Sequence, residues 1–305
     1  MRKKSSARFV LSLPATSANL GPAFDAAALA MDFYIKIIAT PGDAFSIAAT
    51  GRDEGICGNI ENHLILETYR EVLESAKRKV IPLELKITNE IPIGKGCGSS
   101  AAARLAGIAL ANRFGGLRWT DPQIIGEASR REHHPDNASA CWMGGLTVAR
   151  MSGEAQAQVA SIRPKGKWPL LLAIPDQALS TEKARAALPA HYSRADAVVN
   201  IQNSMLLLAA FTEGRPDFLA AALEDRIHQP YRAPLCPLLP ALQELKGTAG
   251  ILGAALSGAG PSVLVFLDPK ASIAKARKVA AAHLAERGLI AEWIETSITS
   301  RGGRR

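Results

Sequence analysis

The chain has 305 residues, 48% hydrophobic and 21% charged, a composition typical of a folded globular protein with one large domain or two ordinary ones. Seven of the basic residues behind its net charge of +8 lie in the terminal segments 2–8 and 301–305, which contain no acid, so we expect solvated tails and a nearly neutral body. Aromatic residues are only 5% and no apolar run reaches the roughly 18 residues of a membrane helix, so neither nucleic acid nor a membrane is an expected partner.

Hydrophobic periodicity divides the first part of the chain into strands and helices without regular alternation. Residues 83–88 alternate apolar and polar side chains as a half-buried strand does, and Thr120 with Pro122 marks a helix start. In chain order we predict strands at 7–13, 33–40 and 44–50, a helix at 62–79, a strand at 83–88, helices at 99–113 and 120–131, a loop at 133–137, and strands at 145–150 and 156–162.

The second part of the chain begins after residue 164, where the texture of the sequence changes. We predict a strand at 168–174, helices at 181–188, 194–213, 216–224 and 238–247, strands at 253–257 and 262–267, a helix at 271–287 and a strand at 292–298. Strands and helices are mixed without strict βα alternation, which favours the α+β class. The change in texture predicts two domains, residues 1–165 and 166–305.

The segment from Pro92 to Ala102 is rich in glycine and lies between a predicted strand and a predicted helix. Its alternating glycines permit positive φ and a close backbone approach, and the following helix adds its positive end, so the segment predicts a phosphate-binding loop. Ser99 and Ser100 offer hydroxyls to phosphate or to Mg²⁺, and Lys95 adds charge at the rim. The segment is neither a Walker loop nor a dinucleotide fingerprint, and a plain tight turn before a closely packed helix is the alternative.

Two further segments carry turn residues in patterns that suggest binding. Pro14 to Asp25 predicts a long polar turn in which Asn19 and Asp25 together bind an ammonium and a hydroxyl; the alternative is a structural turn with Asp25 as a helix cap. Ser257 to Ser262 predicts a glycine turn that joins two strands.

The sequence patterns that suggest metal binding are weaker than those of the glycine-containing segments. Glu132 is followed by two adjacent histidines, His133 and His134, which lack the helical spacing of zinc ligands, but its carboxylate can complete a Mg²⁺ site with a serine hydroxyl and phosphate oxygens. The cysteines have no metal-ligand spacing, so we expect a reduced, cytoplasmic chain in which Cys97 is the thiol most open to solvent. The four cysteines are Cys57, Cys97, Cys141 and Cys236.

Taken together, the three glycine-containing segments resemble the motifs of the GHMP kinases. Pro14–Asp25 is similar to that family's Pro-Ala-Thr-Ser-Ala-Asn-Leu-Gly-Pro-Gly-Phe-Asp, as found in members that act on L-homoserine, and the other two resemble Pro-x-x-x-Gly-Leu-Gly-Ser-Ser-Ala-Ala and Ser-Gly-Ala-Gly-Pro-Ser. The resemblance runs from about residue 8 to residue 298. It implies a two-domain fold, with an N-terminal domain of mixed β-sheet and helices and a C-terminal ferredoxin-like α/β sandwich.

The resemblance also implies an activity: transfer of the γ-phosphate of ATP, with Mg²⁺, to the hydroxyl of L-homoserine, giving O-phospho-L-homoserine for threonine biosynthesis. Asp25 is expected to face the substrate ammonium, and two arginines its carboxylate. The implied substrate residues are Asn19, Asp25, His134, Arg185 and Arg232, with Asp25, Thr181 and Arg185 at the reacting centre. The implied Mg²⁺ ligands are Ser100 and Glu132. The implied nucleotide contacts are Asn62, Pro92, Ile93, Gly94, Lys95, Gly96, Cys97, Gly98, Ser99, Ser100, Ala101 and Ala102.

Some positions near the implied substrate pocket depart from the family pattern. Ala23 and Ala27 stand where glycine is usual, Cys97 replaces a leucine and His133 a glycine, and Ala23 is compatible with the motif only at negative φ. The alternatives are a kinase for another small alcohol, such as mevalonate, an RNA-binding protein of similar fold, and a catalytically inactive relative. A homodimer is left open.

Overall fold

The first β-sheet of the protein is built from residues 9–162 of the computed structural model, which describes residues 8–303. Its elements are β1 (Phe9–Ala18), β2 (Ala27–Pro41), β3 (Ser46–Gly51), α1 (Glu54–Cys57), α2 (Leu64–Ser75), β4 (Leu83–Asn89), α3 (Ser99–Gly115), α4 (Asp121–Glu132), α5 (Asp136–Met143), β5 (Leu146–Gly153) and β6 (Gln156–Ile162). The strand order is β3-β4-β2-β5-β6, with β1 also paired to β2. Only the β3–β4 pair is parallel among these described strands, so the sheet is mixed.

The second sheet is antiparallel and follows residue 168. Its elements are β7 (Pro169–Ile174), α6 (Thr181–Ala186), α7 (Arg194–Glu213), α8 (Pro216–Ala222), α9 (Gln229–Arg232), a 3-10 turn (Ala233–Leu235), α10 (Leu238–Gln243), β8 (Ile251–Leu256), β9 (Val263–Leu267), α11 (Ile273–Ala285) and β10 (Glu292–Ser297). The order β10-β7-β9-β8 is that of a ferredoxin-like sandwich, so the predicted α+β class is confirmed. None of the helices within residues 8–303 is long and apolar enough to cross a bilayer.

The larger hydrophobic core is continuous between the two sheets. It contains Leu13 and Leu105 from the first part of the chain together with Leu172 and Phe211 from the second, all inaccessible to solvent or nearly so. A smaller cluster lies within the second part, between its sheet and helices α10 and α11. The shared core fixes the two sheets against each other, and the motifs meet where the sheets adjoin.

The first motif is not the long turn that the sequence predicts. Strand β1 continues through a bulge between Pro14 and Ala15 and ends at Ala18, with residues 15–18 buried. Proline cannot donate a ladder hydrogen bond, so it marks a strand end in sequence, but a bulge lets the strand continue beyond it. The turn is therefore confined to residues 19–26, and β2 begins at Ala27 with no helix for Asp25 to cap.

Other boundaries also differ from prediction. The predicted loop at 133–137 contains the start of α5, whose eight residues are too few to display a helical period. Asn62 has a φ of 53° and the helix cap is His63, so α2 starts later than predicted.

The C-terminal segment is docked rather than solvated, since the Gly303 amide donates to the Cys141 carbonyl at 3.0 Å. The rest of the predicted tails, residues 1–7 and 304–305, and the first residue of the predicted strand at 7–13 lie outside the described residues.

Candidate active site

A cavity of about 560 Å³ opens where the three glycine-containing motifs meet. The predicted site residues that line it are Asn19, Asp25, Asn62, Ile93, Gly94, Gly96, Gly98, Ser99, Ser100, Ala102, Glu132, His134, Thr181, Arg185 and Arg232. Four predicted nucleotide contacts do not line it: Pro92, Lys95, Cys97 and Ala101. The structure thus brings most of the predicted residues to one cavity, although they come from segments as far apart in the chain as Asn19 and Arg232.

The glycine-rich loop has the backbone geometry that an anion-binding loop requires. Gly94, Gly96 and Gly98 have φ values of 70°, 80° and 71°, and α3 begins at Ser99 immediately after the last of them. The free N–H groups of the first helical turn therefore face the end of the loop. This arrangement supports the predicted phosphate-binding role.

Gly98 touches two residues of the neighbouring segments. A Cβ at Gly98 would fall far inside van der Waals contact of Thr16 Oγ1 and 3.2 Å from Asn137 Oδ1. Thr16 in turn donates its hydroxyl to Asn137 Oδ1 at 2.6 Å and its backbone N–H to the Cys97 carbonyl at 3.0 Å. Glycine is therefore required at position 98, and Thr16 is a loop-supporting residue that sequence reasoning missed.

The third motif packs directly on the other two, beyond its predicted role as a turn. Ser257 Oγ donates to the Gly96 carbonyl at 2.8 Å, and the Gly258 N–H donates to the Ala18 carbonyl at 3.1 Å. Asn19 Nδ2 donates to the Gly258 carbonyl at 2.8 Å. These bonds link the motifs into a single scaffold for the cavity.

The side chains of Lys95 and Cys97 do not lie where the sequence predicts. Lys95 Nζ donates to the Pro175 carbonyl at 3.0 Å and also to the Asp176 carbonyl, so its charge tethers the loop to the second part of the chain. Cys97 is 0% exposed, which corrects the expectation of an open thiol. It is buried because the loop folds over it, and this burial raises the pKa of the thiol to about 12.

Cys97 is expected to resist alkylation in the folded protein. The thiolate is the reactive form, and a buried thiol with a raised pKa is neither ionised nor accessible at pH 8. Iodoacetamide treatment followed by peptide mass spectrometry should find Cys97 unmodified under native conditions and modified after unfolding. Rapid native labelling at Cys97, faster than at the similarly buried Cys141, would contradict the buried position.

Ser100 and Glu132 form the pair that the sequence predicts for a divalent cation. Ser100 Oγ donates to Glu132 Oε2 at 2.8 Å, and both side chains line the cavity beside the start of α3. A hydroxyl and a carboxylate are oxygen ligands of the kind that Mg²⁺ prefers, so the residues fit the ion. Sequence reasoning missed Arg104, whose Nε donates to Glu132 Oε1 at 2.6 Å and holds the carboxylate in place.

Asp25 also lines the cavity and pairs with Arg185. The Arg185 Nη2 to Asp25 Oδ1 distance is 2.7 Å, with both side chains about one-third exposed. The Asp25 backbone N–H donates to Asn19 Oδ1 at 2.9 Å, and Asn19 is buried with its amide engaged at both ends. Asn19 therefore shapes the turn that presents Asp25, as well as lining the cavity.

His134 and Asp136 lie beside Asp25. His134 Nδ1 is 2.6 Å from Asp136 Oδ1, and one ligand atom each from Asp25, His134 and Asp136 lie within 4.8 Å of one another. Burial acts to lower the His134 pKa, but the hydrogen bond and charge of Asp136 outweigh it and raise the pKa above its ordinary value. Two carboxylates and an imidazole thus converge in this part of the cavity.

Arg232 is a deeply buried charge of the site, with 1% of its surface exposed. Its Nε donates to the Ala184 carbonyl at 3.0 Å and its Nη1 lies 3.2 Å from His228 Nδ1, and within residues 8–303 no carboxylate forms an ion pair with it. Burial, and then the nearby Arg185, lower its pKa. A buried cation with only neutral partners is costly unless an anion joins it.

Thr181 and Asn62 line the cavity from opposite parts of the chain. Thr181 is exposed and is the first residue of α6, after the cap residue Ser180, whose hydroxyl accepts from the Lys183 N–H at 3.1 Å. Asn62 is exposed in a turn just before α2. Both side chains are therefore open to a ligand.

Comparison with known proteins agrees with this geometry. Residues 63–145 match the family model described as the GHMP kinases N terminal domain, and residues 207–286 match GHMP kinases C terminal. A homoserine kinase of Solibacter usitatus is 43% identical over 87% of this chain and 86% of its own length.

Solved structures show the same fold. The homoserine kinase of Cytophaga hutchinsonii has a TM-score of 0.81 at 22% identity, covering 99% of this chain and 98% of that one. L. major mevalonate kinase, solved with R-mevalonate, has a TM-score of 0.72 at 16% identity, covering 99% and 100%. These likenesses establish the fold, and the Solibacter relative establishes the family. The chain therefore belongs to the homoserine kinase branch of the GHMP kinases.

Proposed function

We propose that the chain transfers the γ-phosphate of ATP to the side-chain hydroxyl of L-homoserine, giving O-phospho-L-homoserine. The observation that carries the substrate is Arg232, whose buried charge lacks a carboxylate partner within the described residues, in the same cavity as Asp25 and the glycine-rich loop. A zwitterionic amino acid supplies the missing carboxylate to Arg232 and an ammonium to the acceptors around Asp25. The kinases of this family use ATP, and the glycine-rich loop has the backbone geometry to bind its phosphates.

The ammonium and the carboxylate of the substrate, which share one carbon atom, are assigned to adjacent positions in the cavity. The carboxylate binds Arg232 and Arg185, and the ammonium binds Asp25 with His134 and Asp136 nearby. When homoserine enters, Arg185 exchanges part of its pairing with Asp25 for the substrate carboxylate. The hydroxyl then extends toward the glycine-rich loop, where the γ-phosphate is held.

The nucleotide and its cation are assigned to the glycine-rich loop and the start of α3. The N–H groups of the glycine-rich loop and the start of α3 bind the phosphates, Asn62 contacts the nucleotide, and Thr181 lies near the γ-phosphate. Ser100 and Glu132 hold Mg²⁺, which offsets the charge of the phosphates when bound. Phosphoryl transfer depends mainly on such positioning and charge neutralisation, so Asp25 acts as a binding group and no strong general base is required.

The direct test is product identification. The purified protein is incubated with ATP, Mg²⁺ and L-homoserine, and ³¹P NMR follows the phosphorus species. The expected result is a new phosphomonoester signal that grows in step with ADP and matches synthetic O-phospho-L-homoserine. Release of ADP and inorganic phosphate without the phosphomonoester would overturn the proposal.

Glu132→Gln is expected to raise the Mg²⁺ concentration for half-maximal activity by about tenfold or more, because a charged oxygen ligand becomes a neutral one. The measurement is a Mg²⁺ titration of ADP release at fixed ATP, together with Mn²⁺ binding monitored by electron paramagnetic resonance. The matched control is Glu127→Gln, five residues earlier on α4, whose carboxylate pairs with Arg130 and Arg131. An equal shift in both variants would remove Glu132 from the cation site.

Three finer expectations remain proposals. We divide the chain into functional units near residue 165, because the first sheet ends at Ile162 and the second begins at Pro169.

A homodimer stays a prediction that light scattering can test. The four cysteines are free and buried, which supports the predicted cytoplasmic location, where thiols stay reduced.

A further inference from the structure

His228 is a buried histidine that none of the roles above uses. It is 0% exposed and lies between the turn of the first motif and Arg232. Its Nε2 is 2.8 Å from the Gly21 carbonyl oxygen, and its Nδ1 is 3.2 Å from Arg232 Nη1. Its ring stacks on Phe24, with centroids 5.2 Å apart and planes 25° from parallel.

The two polar neighbours fix the tautomer of His228. The Gly21 carbonyl can only accept a hydrogen bond, so Nε2 carries the hydrogen, and a guanidinium can only donate, so Nδ1 is the acceptor. Asp225 Oδ2 is 3.5 Å from Nε2, but it already accepts the backbone N–H groups of His228 and Gln229 at 2.9 and 2.6 Å. Burial, as the largest effect, keeps the His228 pKa below its ordinary value, which agrees with a neutral ring.

A neutral hydrogen-bond acceptor beside Arg232 acts differently from a carboxylate in the same place. It orients the guanidinium of Arg232 without forming an ion pair with it, so the charge remains available to a substrate anion. The opposite edge of the same ring holds Gly21, four residues before Asp25. His228 therefore links the arginine that binds the carboxylate to the turn that carries the group for the ammonium.

We propose that His228 is a positioning residue that sets the preference for α-amino acids over amino alcohols without a carboxylate, acting through Arg232. The inference rests on the proposed binding of the substrate carboxylate by Arg232. It assigns His228 no contact with the substrate and no part in proton transfer. The expected signature is a loss of affinity for carboxylate-bearing substrates alone.

The test compares L-homoserine with 3-aminopropan-1-ol, which has the same hydroxyl and ammonium but no carboxylate. His228→Gln keeps a donor for Gly21 but places no acceptor at Nδ1, whereas His228→Asn keeps an acceptor near Nδ1. For His228→Gln we expect kcat/KM for L-homoserine to fall about 10- to 100-fold, mostly through KM, as for a lost hydrogen bond to a charged group. We expect kcat/KM for 3-aminopropan-1-ol to stay within about twofold, since that substrate does not use Arg232. His228→Asn should restore most of the preference for L-homoserine.

The controls separate this inference from the proposed function. His191→Gln makes the same substitution at an exposed histidine and should change neither substrate. If the unsubstituted protein does not prefer L-homoserine, the carboxylate assignment itself fails. If it does, but His228→Gln and His228→Asn lower kcat/KM for both substrates equally, His228 is only structural and the inference is overturned. In an Arg232→Met background, His228→Gln should add no further loss for L-homoserine, and a full additional loss also overturns the inference.

Discussion

Gly98→Ala is expected to lower kcat/KM by about 10²-fold or more, the loss associated with displacing a reacting group by about an ångström. The added Cβ would overlap Thr16 Oγ1, and Thr16 cannot retreat easily because its hydroxyl and N–H are bonded to Asn137 and Cys97. Residue 98 also has a φ of 71°, which costs an alanine about 1–2 kcal/mol. The loop must therefore move, and its N–H groups move away from the phosphates.

Gly116→Ala is the matched control for this prediction. Gly116 ends the same helix α3 at a φ of 63°, but a Cβ there meets nothing within 4 Å. Both variants place an alanine in the left-handed backbone conformation, which costs free energy in each. Only Gly98→Ala also places a Cβ in conflict with Thr16. The value of kcat/KM for ATP, measured as ADP release over a range of ATP concentrations at saturating L-homoserine, should separate them, with melting temperature as the stability readout. Equal activity of the two variants would show that the loop tolerates the shift and is not the phosphate site.

Arg232→Met is expected to lower kcat/KM for L-homoserine by about 10²- to 10³-fold, because truncating one partner of a buried charge pair costs about 2–5 kcal/mol. Methionine fills much of the volume without the charge, and the protein loses a buried cation that has only neutral partners, Ala184 and His228. The fold should therefore survive, with stability unchanged or raised. Steady-state kinetics should locate the loss mainly in KM for L-homoserine, with KM for ATP unchanged.

Arg226→Met is the control for Arg232→Met. Arg226 lies six residues earlier, has an exposed side chain and does not line the cavity. It should leave kcat/KM for L-homoserine within about twofold, as surface substitutions usually do. A loss equal to that of Arg232→Met would indicate a general effect of charge rather than carboxylate binding.

The elements of the fold that rest on local patterns could be predicted from sequence. The glycine-rich loop and α3 follow from alternating glycines before a run of small apolar residues, and β4 from its alternation. The limits of β1 and the presence of α5 could not, because a bulge hides the strand behind Pro14 and eight residues do not display a helical period. In both cases tertiary packing overrides the local preference.

Part of the candidate site could also be predicted from sequence, and part could not. Residues within motifs, such as Asp25 and Ser100, could be named from sequence, but their partners lie far along the chain. Thr16 and Asn137 are 121 positions apart and Asp25 and Arg185 are 160 apart, and no periodicity encodes such contacts. The sequence could have indicated Arg104 as a residue of the site, since it lies four residues after Ser100 and therefore on the same face of α3. The burial of Cys97 depends on the three motifs closing over it.

The most direct test of the substrate assignment is the ratio of kcat/KM values for L-homoserine and R-mevalonate, measured as ADP release with ATP and Mg²⁺, with L-serine and L-threonine assayed alongside. R-mevalonate carries a carboxylate for Arg232 but no ammonium for the acceptors around Asp25. A site whose buried polar groups are left unpaired rejects such an analogue strongly, so we predict that L-homoserine is preferred by at least about 10²-fold. An equal or higher kcat/KM for R-mevalonate would contradict the assignment of Asp25 and Arg232 to an amino acid substrate.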